Sequence, residues 1–262
     1  MAITGADFTA VLKSLGAGSG LVLPAADLAL GASKALAGLS PVAQAVFLAT
    51  MTQESAYFRT TEEYAENGSY APYIGRTFEQ VTWKANYAAF GSWCVKRGLI
   101  ASADLFVNKP ELLAETQWAW LGGMWFFEAK GLWSYADEGD FQTVQVKVNG
   151  ASPFPAGWST RLKAYRGWTA RLVKPAALPV NGLMDTATSK RLQQWVGVGM
   201  DGAVGKVTYS AIQKWLGLTA DGSLSANDVK KFQGVIGAYV DGQWGPGTNK
   251  ALQRFLNAQG GV

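Results

Sequence analysis

Residues 51–87 read MTQESAYFRTTEEYAENGSYAPYIGRTFEQVTWKANY. An apolar helical pattern runs into this stretch from upstream. Ser40-Pro41 supplies an N-cap and a first-turn proline, and Ala43, Val46, Phe47 and Met51 follow at i, i+3, i+4 spacing. Glu54 falls one turn beyond Met51, so a buried helix delivers a carboxylate to its own end. Glu62 and Glu63 follow, and Gln80, Thr82 and Asn86 lie beyond a Tyr-, Gly- and Asn-rich loop over 64–77. On pattern alone a carboxylate at a helix end is as readily a solvated charge as a functional one.

Paired carboxylates among amides and hydroxyls suit glycoside hydrolysis. That reaction needs one acid to protonate the leaving oxygen, a second carboxylate across the sugar, and polar side chains to hold the ring and a water. Composition removes the main competitors. The 262 residues contain no histidine, which excludes Ser-His-Asp triads, Cys-His dyads and His-ligated zinc. Cys94 is the single cysteine, so no disulfide closes within the chain, and it reads as a small core residue. No cofactor or metal-ligand set is expected. The net charge of +4 favours a polyanionic partner such as an anionic cell wall, but no Lys/Arg block of the nucleic-acid-binding kind is present. The N-terminus lacks a signal-peptide pattern. The apolar run Leu21–Leu39 is interrupted by Pro24, Asp27 and Lys34, so no membrane insertion is expected.

Working outward, helical spacing predicts helices over Ala6–Ser14, from Pro24 to Ala37, and from Thr82 to Val95. The longest is expected from Asn108-Lys109-Pro110 through Phe127, apolar nearly all round and therefore central. Asp140 is expected to cap a helix ending at Val148-Asn149-Gly150, and Trp158-Ser159 to start another. No segment sustains strand alternation, so 1–172 is expected to be mainly α. Glu79 reads as solvated.

Residues 173–179, VKPAALP, mark a composition break and are read as a linker. Beyond them a period of 20 residues sets in. Asx-Gly recurs at Asn181, Asp201, Asp221 and Asp241, and glutamine at Gln193, Gln213, Gln233 and Gln253. Each unit of 180–262 reads as a turn followed by a short helix, capped near Thr188, Thr208, Asp228 or Thr248. Glycine stops the helix at Gly197, Gly217 and Gly237, with Asn257 in the fourth unit. Helices this short must pack on one another. Each turn has too few acidic ligands for calcium. Trp195 and Trp215 read as core, whereas Trp244, on a turn, is the candidate for exposed wall contact.

These patterns resemble a known family. QESAYFRTTEEY (53–64) resembles the catalytic signature of glycoside hydrolase family 19, the chitinase and phage-lysozyme family, and YIGRTFEQVTWKANY (73–87) resembles its following block, Y-x-G-R-G-x-x-Q-L-T/S-x-x-x-N-Y. Asn149-Gly150 and Arg161 with Tyr165 match later elements in order, and 241–256 resembles the common peptidoglycan-binding repeat. The whole is similar to a bacteriophage endolysin. The resemblance implies a lysozyme-like α-helical catalytic domain at 1–172 and a small helical repeat domain at 180–262. It implies Glu54 as general acid, Glu63 as general base with Glu62 as the alternative, and Thr82 as the hydroxyl holding the water. Gln80, Asn86, Tyr87, Asn149 and Arg161 are implied as substrate-binding or site-organising residues. Three departures stand out: Gln53 in place of histidine, Thr77 in place of the second glycine of G-R-G, and a short segment between Glu63 and Tyr73.

Without the resemblance, Gln80, Thr82 and Asn86 read as polar faces of a helix start, and Arg161 as a surface charge or the partner of a buried acid. With it, the expected function is inverting hydrolysis of the β-1,4 bond of peptidoglycan by a monomeric muramidase. Such an enzyme is made in the host cytoplasm and released to the wall during lysis. The alternatives are a chitinase and a catalytically inactive wall-binding protein.

Overall fold

The computed structural model describes residues 2–64, 68–150 and 153–259; of the loop expected over 64–77, residues 65–67 lie outside this set. Among the described residues the chain is mainly α. The helices are α1 (Gly5–Ser14), α2 (Ala25–Ala35), α3 (Pro41–Glu54), α4 (Lys84–Lys96), α5 (Leu105–Asn108), α6 (Ala119–Ala129), α7 (Trp133–Asp137), α8 (Phe141–Asn149), α9 (Trp158–Leu172), α10 (Thr186–Val196), α11 (Lys206–Trp215), α12 (Ala226–Ile236) and α13 (Pro246–Gln259). Extended pairing among these residues is confined to isolated bridges. No helix among them is long and apolar enough to cross a membrane.

The chain forms two compact units, Met1–Leu39 with Phe47–Trp133, and Ser40–Val46 with Ser134–Val262. In the first, α6 packs against α2 and α4, as its apolar circumference predicts. Phe8, Phe58, Phe78 and Trp120 form one aromatic network, edge-to-face except for the tilted Phe58–Trp120 pair, with ring centroids 4.8–6.1 Å apart. Cys94 is buried beside Tyr87, Phe90 and Phe106, the small core residue expected of it.

The long helix expected from Asn108 to Phe127 does not form. The chain passes through α5 and two short 3-10 turns, Pro110–Ala114 and Thr116–Trp118, before α6 begins. Pro110 keeps Lys109 out of the α region, at φ −137° and ψ 71°, and Glu115 is extended, at φ −63° and ψ 138°, which separates the two 3-10 turns. An unbroken apolar pattern therefore overstated the helix by most of three turns.

In the second unit, residues 134–172 and the repeats share contacts that the composition break at 173–179 does not suggest. The Gln142 amide donates to the Gly197 carbonyl at 2.8 Å, and the Met200 amide to that of Glu138 at 3.2 Å. Segment 173–179 is itself fastened: Asn257 accepts from the Leu178 amide at 2.8 Å and donates to its carbonyl at 2.9 Å. Asn257 thus does not end α13, which runs on to Gln259.

The repeating glutamines organise the four units. Gln213 accepts from the Gly222 amide and donates to Asp221 and to the Ser223 carbonyl, at 2.7–3.0 Å. Gln193 and Gln233 seal the Asp201 and Asp241 turns in the same way. Gln253 reaches back to the first turn, bonding Asn181, Gly182 and Leu183 at 2.8–3.0 Å. The four units therefore close into a ring, with Leu192, Ile212, Phe232 and Leu252 fully buried. Closure removes the need for the polar end caps of an open solenoid. The helix caps lie about three residues earlier than expected, with Asp185 and Ser225 holding the first turns of α10 and α12. Thr188, Thr208 and Thr248 are instead buried partners of the glutamines.

Candidate active site

Glu54 closes α3 and is half-buried. The backbone then passes through three successive residues of positive φ: Ala56 (48°), Tyr57 (67°) and Phe58 (60°). Left-handed conformations cost an L-residue about 1–2 kcal/mol each, so this turn must be held by its surroundings. Ser55 holds one side, its hydroxyl donating to the Met51 carbonyl at 2.6 Å and accepting from the Phe58 amide at 2.8 Å. Phe58 holds the other, fully buried against Phe8 and Phe78. Strain of this kind collects where a scaffold fixes a functional group, and here it directly follows Glu54. Gln53, standing where the resembled signature has histidine, has a buried Nε2 with no hydrogen-bond partner.

The second carboxylate lies beside a tight reversal of the chain. The Glu63 amide donates to the Gly75 carbonyl at 2.8 Å, and Arg76 and Val81 exchange backbone bonds at 3.0 and 2.7 Å. The loop between them starts and ends on positive φ, at Thr77 (69°) and Gln80 (58°). Threonine stands here in place of the glycine of the resembled block, yet Thr77 adopts the left-handed φ that favours glycine. Packing on α6 offsets the strain. Thr77 fills the hollow left by Gly122, where a Cβ would lie 2.1 Å from the Thr77 Oγ1, and the Phe78 amide donates to the Ala119 carbonyl at 3.1 Å. Glu79, expected in solvent, is 7% exposed because the loop is pressed onto this helix.

Glu62 and Glu63 are adjacent in sequence but differently engaged. Glu62 accepts from Arg76 Nε at 2.5 Å. Arg76 is itself buried and also donates to the Pro72 carbonyl and the Tyr87 hydroxyl. Burial works to lower the Arg76 pKa, but its bonds to Tyr87 and Glu62 outweigh that and raise it. Among the described residues Glu63 forms no ion pair, and its Oε1 is buried without a hydrogen-bond partner. A Cβ on Gly75 would lie 3.3 Å from Glu63 Oε2 and 2.7 Å from Gln80 Oε1, so bare backbone here lets carboxylate and amide close in together. The nearby Glu63 carboxylate, as a hydrogen-bond acceptor for the phenol, and burial both raise the Tyr70 pKa. Tyr70 belongs to the site without any spacing that marks it in the sequence.

Thr82 donates its hydroxyl hydrogen to the Gln80 carbonyl at 2.7 Å. Its oxygen lone pairs are then left to accept, which is what orienting a water requires. Gln80 Nε2 donates to the Thr77 carbonyl at 3.1 Å, and exposed Asn86 donates to the Thr82 carbonyl at 2.8 Å. Tyr87 is not at the surface. It is fully buried, accepts from Arg76 at 2.8 Å and donates to the Ile74 carbonyl at 2.6 Å, so it positions Arg76 and has no surface to offer a substrate. Burial pushes its pKa up to about 12 despite Arg76.

Asn149 and Arg161 lie in the second unit and are brought together with each other. Arg161 donates to Asn149 Oδ1 at 3.0 Å and to Gln145 Oε1 at 2.6 Å. Trp244 is not the open platform expected of it. One face stacks on Phe232 at 4.7 Å, and its Nε1 donates to Asn249 at 2.8 Å, because the turn folds it back onto the ring's core. Trp195 and Trp215 pack on that core as expected.

No family model matches the chain. Solved structures similar to it include chitinase C from Streptomyces griseus HUT6037, at 20% identity and a TM-score of 0.46, over 65% of this chain and 92% of that one. A mutant of chitinase C is similar to it at 20% identity and a TM-score of 0.47, with the same coverage.

Proposed function

We propose that the chain is a wall-directed glycoside hydrolase of the muramidase type, cutting the β-1,4 bond of peptidoglycan with inversion. The observation that carries this reading is the contrast between Glu62, neutralised by Arg76, and Glu63, whose Oε1 is buried and unpartnered beside Gln80. A carboxylate held without a cation is suited to take a proton.

In the proposed reaction Glu54 gives its proton to the glycosidic oxygen as that bond breaks. A water held by the Thr82 oxygen attacks the anomeric carbon from the opposite face, losing its proton to Glu63. One new bond forms, one breaks, and both carboxyls reset through solvent. An inverting pair stands about 6.5–9.5 Å apart to admit that water. Asn86, Asn149 and Arg161 are proposed to bind sugar, and the repeat ring to hold the chain on the wall and raise its local concentration there. The enzyme is proposed to act as a monomer, made in a host cytoplasm and released to the wall during lysis.

Mass spectrometry of soluble products from peptidoglycan, with chitin in parallel, tests the reading. Muropeptides ending in reducing N-acetylmuramic acid are expected. Chito-oligosaccharides alone would make the chain a chitinase, and no cleavage of either polymer would leave it a binding protein. Glu54→Gln is expected to bind walls normally and cut almost nothing.

A further inference from the structure

A cation without an anion lies inside the second unit. Arg166, on α9, donates from Nε to the Trp195 carbonyl at 2.7 Å. Its guanidinium carbon sits 3.8 Å from the Trp195 ring centroid and 5.1 Å from that of Trp215. Its Nη2 is buried with no hydrogen-bond partner, and so is the Trp195 Nε1. Arg191 lines the same cavity, with one Nη2 bond to the Ala176 carbonyl. Among the described residues no carboxylate forms an ion pair with either guanidinium. Burial pulls the Arg166 pKa down to about 9 and lowers that of Arg191.

As a purely structural device this arrangement is poor. Stacking a guanidinium on indoles recovers less than burying the charge costs, and three orphaned groups, Arg166 Nη2, Trp195 Nε1 and Thr169 Oγ1, add to the deficit. A second cation in the same cavity makes it worse. Each of these costs changes sign if an anion enters.

We propose that this cavity binds a small carboxylate, held by Arg166 Nη2 and the Trp195 indole N–H, with Arg191 supplying the second positive charge. The rest of the lining includes Val173, Pro175 and Leu256, apolar groups that suit a carboxylate with a short hydrocarbon tail. A phosphate has no hydrocarbon part to place against these groups, so the apolar lining favours the carboxylate. The peptide stems of a bacterial wall end in carboxylates. That choice of source rests on the wall-hydrolase reading; the carboxylate site itself does not.

The test uses the full chain labelled with 15N, following the Trp195 indole resonance, identified by its loss in Trp195→Phe. Sodium acetate and N-acetyl-D-alanine are titrated at constant ionic strength to about 100 mM, against sodium chloride and phosphate controls. A saturable shift with the carboxylates is expected, weakened at least about tenfold by Arg191→Gln, whose other indole resonances stay in place. No saturable shift, a shift reproduced by chloride or phosphate, or an unchanged affinity in Arg191→Gln would overturn the site. Tighter binding of N-acetyl-D-alanine than of acetate supports the wall as source; equal binding keeps the site and removes that source. Peptidoglycan cleavage measured on the same samples decides the hydrolase reading separately.

Discussion

Arg76 Nε donates to Glu62 Oε2 at 2.5 Å, and this ion pair places two adjacent glutamates in different surroundings. Glu62 neutralises a buried guanidinium, while Glu63 keeps an unpartnered oxygen beside Gln80. Glu63→Gln is therefore expected to leave stability nearly unchanged and to lower the hydrolysis rate by about 10²–10⁴-fold, the usual contribution of a general base. Glu62→Gln is expected to reverse the pattern. It leaves Arg76 buried without its anion and costs about 1–3 kcal/mol, below a fully buried pair because Glu62 is 35% exposed. Urea unfolding and turnover of both variants check this; equal loss of activity at unchanged stability would make the two residues equivalent.

Thr77 and Gly122 form a second testable pair. Gly122→Ala places a methyl 2.1 Å from the Thr77 Oγ1 and 2.5 Å from its Cβ, both on a stiff β-branched side chain. Overpacking of this kind costs about 1–3 kcal/mol. The double variant Gly122→Ala with Thr77→Gly is expected to recover part of that loss, since glycine takes the positive φ freely and removes the clash. Strict additivity in the double-mutant cycle would show that the two positions do not touch.

Ring closure predicts equality where a linear array predicts a gradient. Gln253→Ala leaves the Gly182 amide and the Asn181 turn unsealed, as Gln233→Ala does for Gly242 and Asp241. Each is expected to cost about 2–3 kcal/mol, mainly from stranded polar groups. A markedly smaller cost for Gln253→Ala in chemical denaturation would mean that the ends are open.

The same turns set an acid response. Asp201, Asp221 and Asp241 accept first from their glutamine and then from a backbone amide, which holds each carboxyl below its ordinary pKa. A depressed folded-state pKa adds stability that is complete above the unfolded carboxylate range and is lost as pH falls through the folded value. Stability is expected to decline below about pH 4. Asn181 makes the equivalent bonds without a titrating group. Replacing the three aspartates together by asparagine should therefore flatten unfolding midpoints measured from about pH 2 to 6, and an unchanged slope would place the acid sensitivity elsewhere.

Much of this was legible in order along the chain. Helix starts at Ser40-Pro41 and Asp140, the glycine stop at Gly150 and the 20-residue period all depend on neighbours a few positions away, and they stand where the pattern put them. The stretch from Asn108 to Trp118 misled because apolar content carries no record of the non-helical backbone at Lys109 and Glu115. Thr77 misled in the other direction: local preference argued against a positive φ, and contact with a helix more than forty residues downstream overrode it. Tyr70 was invisible, since one tyrosine in a loop has no period, and Trp244 was misplaced because a turn position says nothing of what the turn folds against.

The sequence by itself determined that the chain is helical, that four like units follow residue 180, and which carboxylates are present to do chemistry. These follow from periodicity and composition, which are local. Only the tertiary structure decided that Gln253 returns to Asn181, that Glu62 is neutralised while Glu63 is not, and that Arg166 is buried without an anion. Each of those depends on groups distant in sequence meeting within hydrogen-bond or stacking range. Water would satisfy every one of them in the unfolded chain, and only burial makes the choice of partner matter.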